Sequence, residues 1–156
     1  MDRKKALNRA AALCSRSEQC ESDIRAKLSS WLDEPEQADG IIAHLKNEGF
    51  IDDRRYARAY VHDKFLYNGW GRIKLRAMLH GKGIDNETIL HALEQIDEDE
   101  YRNTLIHLLE GKWRTVMGRD RQHARAAMLR FAASRGFEAD LCYRCADEVM
   151  NGNGED

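Results

Sequence analysis

The stretch GFIDDRRYARAYVHDKFLYNGWGRIKLRAMLHGKGIDNETILHAL, residues 49–93, decides the predicted fold. Apolar residues recur in it at intervals of three and four, which is the spacing of an α-helix. Two breaks divide the stretch into three segments, one at Asn68-Gly69 and one at Gly81-Lys82-Gly83. Glycine just past a helical segment is typical of a helix end. The stretch therefore predicts three short helices joined by turns.

Each of these predicted helices carries an apolar stripe that we assign to the core. The stripe residues are Ala57, Tyr60, Val61 and Phe65 in the first helix, Leu75, Met78 and Leu79 in the second, and Ile89, Leu93 and Ile96 in the third. Aspartates precede two of the helices and are suited to cap them: Asp52 or Asp53 for the first, and Asp85 for the third.

The same three-helix pattern precedes and follows this stretch. The second helix of each unit aligns as residues 25–28 (RAKL), 76–79 (RAML) and 126–129 (AAML), at spacings of 51 and 50 residues. Ser15 and Ser17 are candidates to cap the second helix of the first unit. A repeated unit that buries its stripe on itself and its neighbours indicates an array.

We predict an all-α fold of three tandem three-helix repeats of about 50 residues in an elongated, curved array. The repeats cover residues 1–50, 51–97 and 98–150, and residues 151–156 form a flexible tail. The alternative is a single nine-helix bundle. One proline in 156 residues and the scarcity of alternating β-branched residues exclude a β-rich fold.

Composition predicts a folded, cytoplasmic protein. Hydrophobic residues make up 42% of the chain and charged residues 33%, which fits a globular rather than a disordered chain. The first 30 residues lack the apolar run of a signal peptide, and no segment has the length of a membrane span. The polar faces of the helices favour a monomer.

Positive charge is concentrated in the middle unit. Residues 52–82 contain eight Lys or Arg and three Asp, an excess of +5 within a chain of net charge −2. Arg54 and Arg58 are four positions apart, as are Arg72 and Arg76, so each pair shares a helix face. The candidate binding residues are Arg54, Arg55, Arg58, Arg72, Lys74, Arg76 and Lys82.

If the two helix faces converge, these cations line one surface that could meet acidic protein loops or nucleic-acid phosphates. Tyr67 and Trp70 flank the region and could stack on bases. The alternative is that the charges are solvated helix faces that pair weakly with Asp52, Asp53 and Asp63.

The remaining reactive residues predict neither an enzyme nor a metal site. Cys142 and Cys145 have the spacing of zinc ligands, and Cys14 and Cys20 could complete a set of four. All four fall within or beside helical patterns, however, and we assign them as small buried hydrophobes. The six histidines are scattered along the chain, and no catalytic motif is present. We therefore predict a non-catalytic protein without a cofactor.

The central unit resembles the RecX family, bacterial regulators of the RecA recombinase. The resemblance rests on three segments of the unit and the residues that follow them. The segments are Gly49-Phe50-Ile51-Asp52-Asp53 with Arg54-Arg55-Tyr56-Ala57, then Gly71-Arg72-Ile73 through Leu79, and Lys82-Gly83-Ile84 with Ile89 and Ala92-Leu93. Arg16-Ser17-Glu18 and Arg135-Gly136-Phe137 also look like family positions.

The resemblance implies a protein that binds RecA filaments on single-stranded DNA and limits their growth, their recombinase and ATPase activities, and the SOS response. RecA would be the main partner, with single-stranded DNA secondary, and the seven cations would be the contact residues. One alternative is a stand-alone nucleic-acid-binding helical-repeat protein. Another is an adaptor for a different partner, which the fold alone would allow.

Overall fold

The computed structural model describes residues 1–153, and the chain is all-α over that range. Nine α-helices, one 3₁₀ turn and no strand lie among these residues. The helices are α1 (Arg3–Arg16), α2 (Glu21–Trp31), α3 (Ala38–Asn47), α4 (Asp53–Asn68), α5 (Arg72–Gly81), α6 (Asn86–Glu94), α7 (Glu98–Val116), α8 (Arg121–Ser134) and α9 (Ala139–Asn153), with the 3₁₀ turn at Pro35–Gln37. The predicted fold class is confirmed. The last helix includes 151–153 of the predicted tail, whereas 154–156 lie outside the described residues.

Most helices begin where a local aspartate can cap them. At the start of five helices an Asp side chain accepts a backbone N–H of the first turn; the five are Asp2, Asp52, Asp85, Asp97 and Asp120. Such a bond satisfies one of the amides that a helix start leaves without an internal partner. Asp52, rather than Asp53, is therefore the cap of α4.

The start of α2 differs from the prediction. Cys20 occupies the cap position and makes no side-chain capping bond. The amide of Glu21 instead donates to the Asp53 carboxylate at 3.0 Å. The predicted serine cap is wrong because α1 runs on to Arg16, which places Ser15 inside it with its hydroxyl on the carbonyl of Ala11.

The chain folds as two compact units, and the middle helices contribute to both. The first unit consists of Met1–Tyr60 and Leu79–Ala92. Among the described residues, the second consists of Val61–Met78 and residues 93–153. Both α4 and α5 therefore have one part in each unit. The division into three sequence repeats stays a prediction.

The first unit has its core where α1, α2 and α3 pack together. That core consists of Ala6, Ala10, Ile24, Leu28, Leu32, Ala38, Ile41, Ile42, Leu45 and Ile51. Gly49, at φ +78°, lies just past the end of α3. The amides of Phe50 and Ile51 then donate to the carbonyl of Leu45 at 2.8 and 3.2 Å, which satisfies the helix end.

The second unit is built on α7, α8 and α9, which pack against one another. Its centre is the fully buried Tyr101, whose ring lies 5.8 Å from that of Phe65 and 5.0 Å from that of Phe137. The start of α5 is bound to this unit through its backbone. The amide of Gly71 donates to the Arg135 carbonyl at 2.7 Å, and a Cβ on Gly71 would lie 2.5 Å from the Gly136 oxygen. Only glycine allows that approach.

The predicted core of the middle stretch is largely confirmed. Its buried members are Ala57, Val61, Phe65, Leu75, Leu79, Ile89, Leu93 and Ile96. Met78 was assigned wrongly and is 40% exposed. The buried stripe of α5 steps four positions from Leu75 to Leu79, which leaves Met78 on the flank of the helix.

Candidate functional site

The seven predicted cations are divided between the two units. The first unit holds Arg54, Arg55, Arg58 and Lys82, and the second holds Arg72, Lys74 and Arg76. Their surroundings separate them into cations that the fold uses internally and cations that face solvent. Because opposite charges at close range neutralise each other's field, the second group is the better candidate for contact with a partner.

Arg55 is an internal structural cation of the first unit. Its Nε donates to Glu18 Oε1 at 2.5 Å, and an Nη donates to the carbonyl of Gly49 at 2.9 Å. A longer bond of 3.4 Å reaches the carbonyl of Phe50. One guanidinium thus joins the start of α4 to the residues that precede α2 and to the turn after α3. These hydrogen bonds of Arg55 are therefore made within the fold.

Lys82 is also paired within the first unit. Its Nζ lies 3.0 Å from Asp23 Oδ2 and 3.2 Å from Oδ1, so the ammonium bridges both carboxylate oxygens. That hydrogen bond raises the pKa of Lys82. The Lys82 carbonyl accepts from the Ser22 hydroxyl at 2.5 Å. The side chain and the backbone of Lys82 thus both bind the end of α5 to α2.

Arg72 is largely enclosed, with 21% of its side chain exposed. Its guanidinium lies 2.5 Å from Glu98 and 3.2 Å from Glu138, and its Cζ is 3.9 Å from the centre of the Tyr101 ring. The Tyr101 hydroxyl accepts from the Arg72 amide at 2.9 Å and donates to Glu138. Burial raises the pKa of Tyr101, so this hydroxyl keeps its proton. The cluster positions the start of α5 within the second unit.

Among the four predicted cations of the first unit, Arg54 and Arg58 are the ones available to a partner. Both are exposed and share a face of α4. Within residues 1–153, neither side chain forms a hydrogen bond or an ion pair. Arg54 lines a cleft of about 440 Å³ together with Lys46 and three aspartates, so part of its field is offset there. Arg58 lies outside that lining.

In the second unit, Arg76 is exposed and, among the described residues, its side chain has no partner. Lys74 is half-buried, with its Nζ 4.4 Å from the centre of the Trp70 ring. Lys64 approaches the same ring at 5.3 Å. These cation–π contacts occupy Trp70, which makes it a poor platform for a base. Tyr67, in contrast, is 77% exposed.

Tyr67 lies beside a groove of about 560 Å³ in the second unit. The neighbouring Leu66 is 58% exposed. Asn103, Thr104 and His107 of α7 also line this groove and supply polar groups. An exposed aromatic ring next to hydrogen-bonding side chains can take a nucleobase, since stacking on an aromatic face is tolerant of sequence. The α7 contribution to this groove was not visible in the sequence.

Within the described part of the chain, the thiols do not gather into a metal-binding group. No group of three or more His, Cys, Asp or Glu side chains able to hold a metal occurs among residues 1–153. Cys20, Cys142 and Cys145 are buried and Cys14 is half-buried, all as free thiols. Burial raises the pKa of the Cys142 thiol to about 11, which keeps it protonated and unreactive at neutral pH.

Helices α1–α3 and α7–α9 each pack as a group of three. Fold and site thus define an all-α protein built from three-helix segments, with solvent-facing arginines on its middle helices. Within the part of the chain that is described, no helix is long and apolar enough to cross a membrane.

The family model described as RecX, second three-helix domain, matches residues 52–93. A protein named Regulatory protein RecX from Clostridioides difficile is 26% identical over 147 residues, covering 94% of this chain and 69% of the relative. Another of that name, from Neisseria meningitidis serogroup C, is 27% identical over 148 residues, covering 95% and 93%.

Solved structures agree with these sequence matches. A crystal structure of regulatory protein RecX aligns with a TM-score of 0.83 at 26% identity, covering 93% of this chain and 71% of that chain. RecX from Lactobacillus salivarius aligns with a TM-score of 0.84 at 20% identity, covering 94% and 96%, and this match shows the shared fold. The chain is thus similar over more than nine-tenths of its length to proteins named regulatory protein RecX, and its middle segment matches the second three-helix domain of RecX.

Proposed function

We propose that this chain is a non-catalytic regulator that binds RecA filaments on single-stranded DNA. It inhibits filament extension and, with it, the recombinase, ATPase and SOS activities of RecA. Similarity to proteins named regulatory protein RecX supports a regulator. The observation that carries the proposal is the pair Arg54 and Arg58, which face solvent and have no ion-pair partner among residues 1–153, on the helix where the match to the RecX model begins.

The chain is proposed to act on the filament through contacts between charged groups and without catalysing a reaction. Exposed guanidinium groups form bidentate bonds with carboxylates and phosphates, and both groups are abundant on a protein filament that holds DNA. Arg76 provides the corresponding exposed cation in the second unit. Contacts of this kind would block monomer addition or restrict the closing motions that ATP hydrolysis requires.

A second function, direct binding of nucleic acid without RecA, is favoured by Tyr67. Its ring is 77% exposed and lies on the same helix as Lys64. A base stacked on the ring would bring its phosphate toward cations of the same unit. A protein that acted in this way would hold bare single-stranded DNA with a steep dependence on salt.

Binding to RecA filaments assembled on single-stranded DNA, compared with binding to the bare strand, tests the proposal. The variant Arg54→Glu/Arg58→Glu should bind filaments at least about tenfold more weakly, because two attractive charges become repulsive. The matched control is Lys4→Glu/Lys27→Glu, which makes the same charge change at two exposed positions of the first unit.

Wild-type filament binding by Arg54→Glu/Arg58→Glu would rule out the proposed contact residues. Tight, salt-dependent binding to the bare strand, with no preference for filaments, would instead support the second function. Circular dichroism of both double variants checks that their helices are intact.

A further inference from the structure

An apolar cleft in the second unit lies apart from the basic residues considered above. It has a volume of about 380 Å³ and is formed by the start of α5, the end of α8 and the first turns of α9. Its floor includes Phe137 and Cys142, both buried, and its rim includes Ile73 and Tyr143. Ile73 is 54% exposed and Tyr143 is 48% exposed. Large apolar side chains held this far in solvent beside a cleft are typical of a binding surface.

The charge at this cleft is positive. Of the described residues that line it, Arg130 alone carries a charge, and it is exposed without an ion-pair partner in residues 1–153. Arg125 lies 5.4 Å from the Tyr143 ring but is neutralised by Asp147 at 2.9 Å. Along α9, exposed Arg144 adds a second cation.

Asp140 is the exposed carboxylate nearest to the cleft along α9. It is outnumbered by the exposed arginines 130 and 144, and it is not among the lining residues. The remaining carboxylate of the α8–α9 turn, Glu138, is engaged by Arg72 and Tyr101. A partner with acidic groups around an apolar centre is therefore complementary to this surface in both shape and charge.

We propose that this cleft binds an acidic polypeptide segment that inserts one large apolar side chain between Ile73 and Tyr143 and pairs a flanking carboxylate with Arg130. The identity of the segment rests on the proposed function, under which it belongs to RecA in the filament. The cleft would then hold a filament subunit by an apolar anchor, while Arg54 and Arg58 supply separate charge contacts.

The anchor is the larger expected contribution. A buried apolar side chain at the centre of a contact is the usual source of binding energy, whereas a rim charge mainly adds specificity. Ile73→Asp places a carboxylate where the apolar side chain would lie and also repels an acidic segment. It should weaken binding at least about tenfold, and Arg130→Glu should weaken it about three- to tenfold.

The first test uses the whole chain and a peptide probe. The acetylated, amidated pentapeptide Glu-Glu-Phe-Glu-Glu is titrated into isotope-labelled protein, and amide NMR shifts are followed. We expect shifts concentrated at Ile73, Ala133 and Tyr143, which become smaller when the central Phe is Ala or the four acids are Lys. Shifts that are scattered, or equal for the lysine peptide, would overturn the proposal.

The second test measures binding of the cleft variants to RecA filaments on single-stranded DNA. The matched controls are Leu90→Asp, a similar change at a 49% exposed apolar residue in the first unit, and Arg119→Glu, an exposed arginine that does not line the cleft. Loss confined to Ile73→Asp and Arg130→Glu supports the proposal. If both cleft variants bind like wild type, the cleft is not the contact, although the proposed function stands. If the wild-type chain itself does not bind filaments, the proposed function is wrong, and the acidic segment that enters the cleft does not belong to RecA in the filament.

Discussion

Arg72 and Arg76 lie one turn apart on α5 and have opposite structural roles. Arg72 is 21% exposed, pairs with Glu98 and Glu138, and covers the Tyr101 ring. Arg76 is exposed and, within the described chain, has no side-chain partner. Replacing each by methionine removes the charge but keeps an unbranched stem that can pack in the same place. The pair of variants therefore compares the two environments on one helix.

The expected cost of Arg72→Met is the sum of three modest contributions. The Glu98 carboxylate is 80% exposed, so its ion pair contributes no more than about 1 kcal/mol. Glu138 is 39% exposed, and its hydrogen-bonded pair contributes about 1 kcal/mol after allowance for solvent. The cation–π contact with Tyr101 adds about 0.5–1 kcal/mol. The free energy of unfolding should fall by about 1.5–3 kcal/mol in total.

Urea unfolding, followed by far-ultraviolet circular dichroism and by Trp and Tyr fluorescence, measures this difference. Arg76→Met should change the free energy of unfolding by less than about 0.5 kcal/mol, as is usual for an exposed residue without partners. If Arg72→Met is also within about 0.5 kcal/mol of wild type, the Arg72 cluster is not a structural device. Arg72 would then again be a candidate for partner contact.

Two further predictions concern the backbone and the helix caps. Gly136→Ala should destabilise by about 2–5 kcal/mol in chemical unfolding, since φ is +91° and the new Cβ would lie 2.3 Å from Lys74 Cβ. Gly49→Ala, at φ +78° with open space around it, should cost only about 1–2 kcal/mol, and equal costs would contradict the steric argument. The amide of Thr88 donates a hydrogen bond to the Asp85 carboxylate and lowers the pKa of Asp85 in the folded chain. The stabilising effect of this cap is therefore complete above the pKa that Asp85 has in the unfolded chain. It is lost as pH falls through the lower pKa that Asp85 has in the folded chain. Asp85→Asn should therefore flatten the acid side of the Tm-against-pH curve, and an unchanged acid side would show that the cap does not contribute.

The features predicted correctly from the sequence depend on neighbours within a few positions. The cap at Asp85 acts on an amide three residues later, and the breaks at Asn68-Gly69 and Gly81-Lys82-Gly83 fall at the ends of α4 and α5. Apolar spacing likewise identifies a helix face without knowledge of the fold. The all-α fold follows from such signals. Met78 shows the limit of local apolar spacing as a predictor of burial. A residue at the edge of an apolar stripe can be either buried or exposed in the folded chain.

The roles of the cations could not be predicted because their partners are distant in the chain. Arg55 pairs with Glu18 at a separation of 37 residues, and Arg72 pairs with Glu138 at a separation of 66. The cap that Asp53 provides for Glu21 spans 32 residues. No local spacing indicates which carboxylate will reach which cation. Sequence therefore located the basic stretch but could not separate its structural arginines from its exposed ones.

Inhibition of RecA is tested most directly by the ATPase of RecA on single-stranded DNA, titrated with this chain well below one molecule per RecA protomer. Filament regulation predicts strong inhibition at that ratio, because one bound regulator affects many protomers, and it predicts weaker inhibition by Arg54→Glu/Arg58→Glu. An ATPase rate that stays constant throughout the titration, with the chain shown to be folded by circular dichroism, would contradict the proposed function.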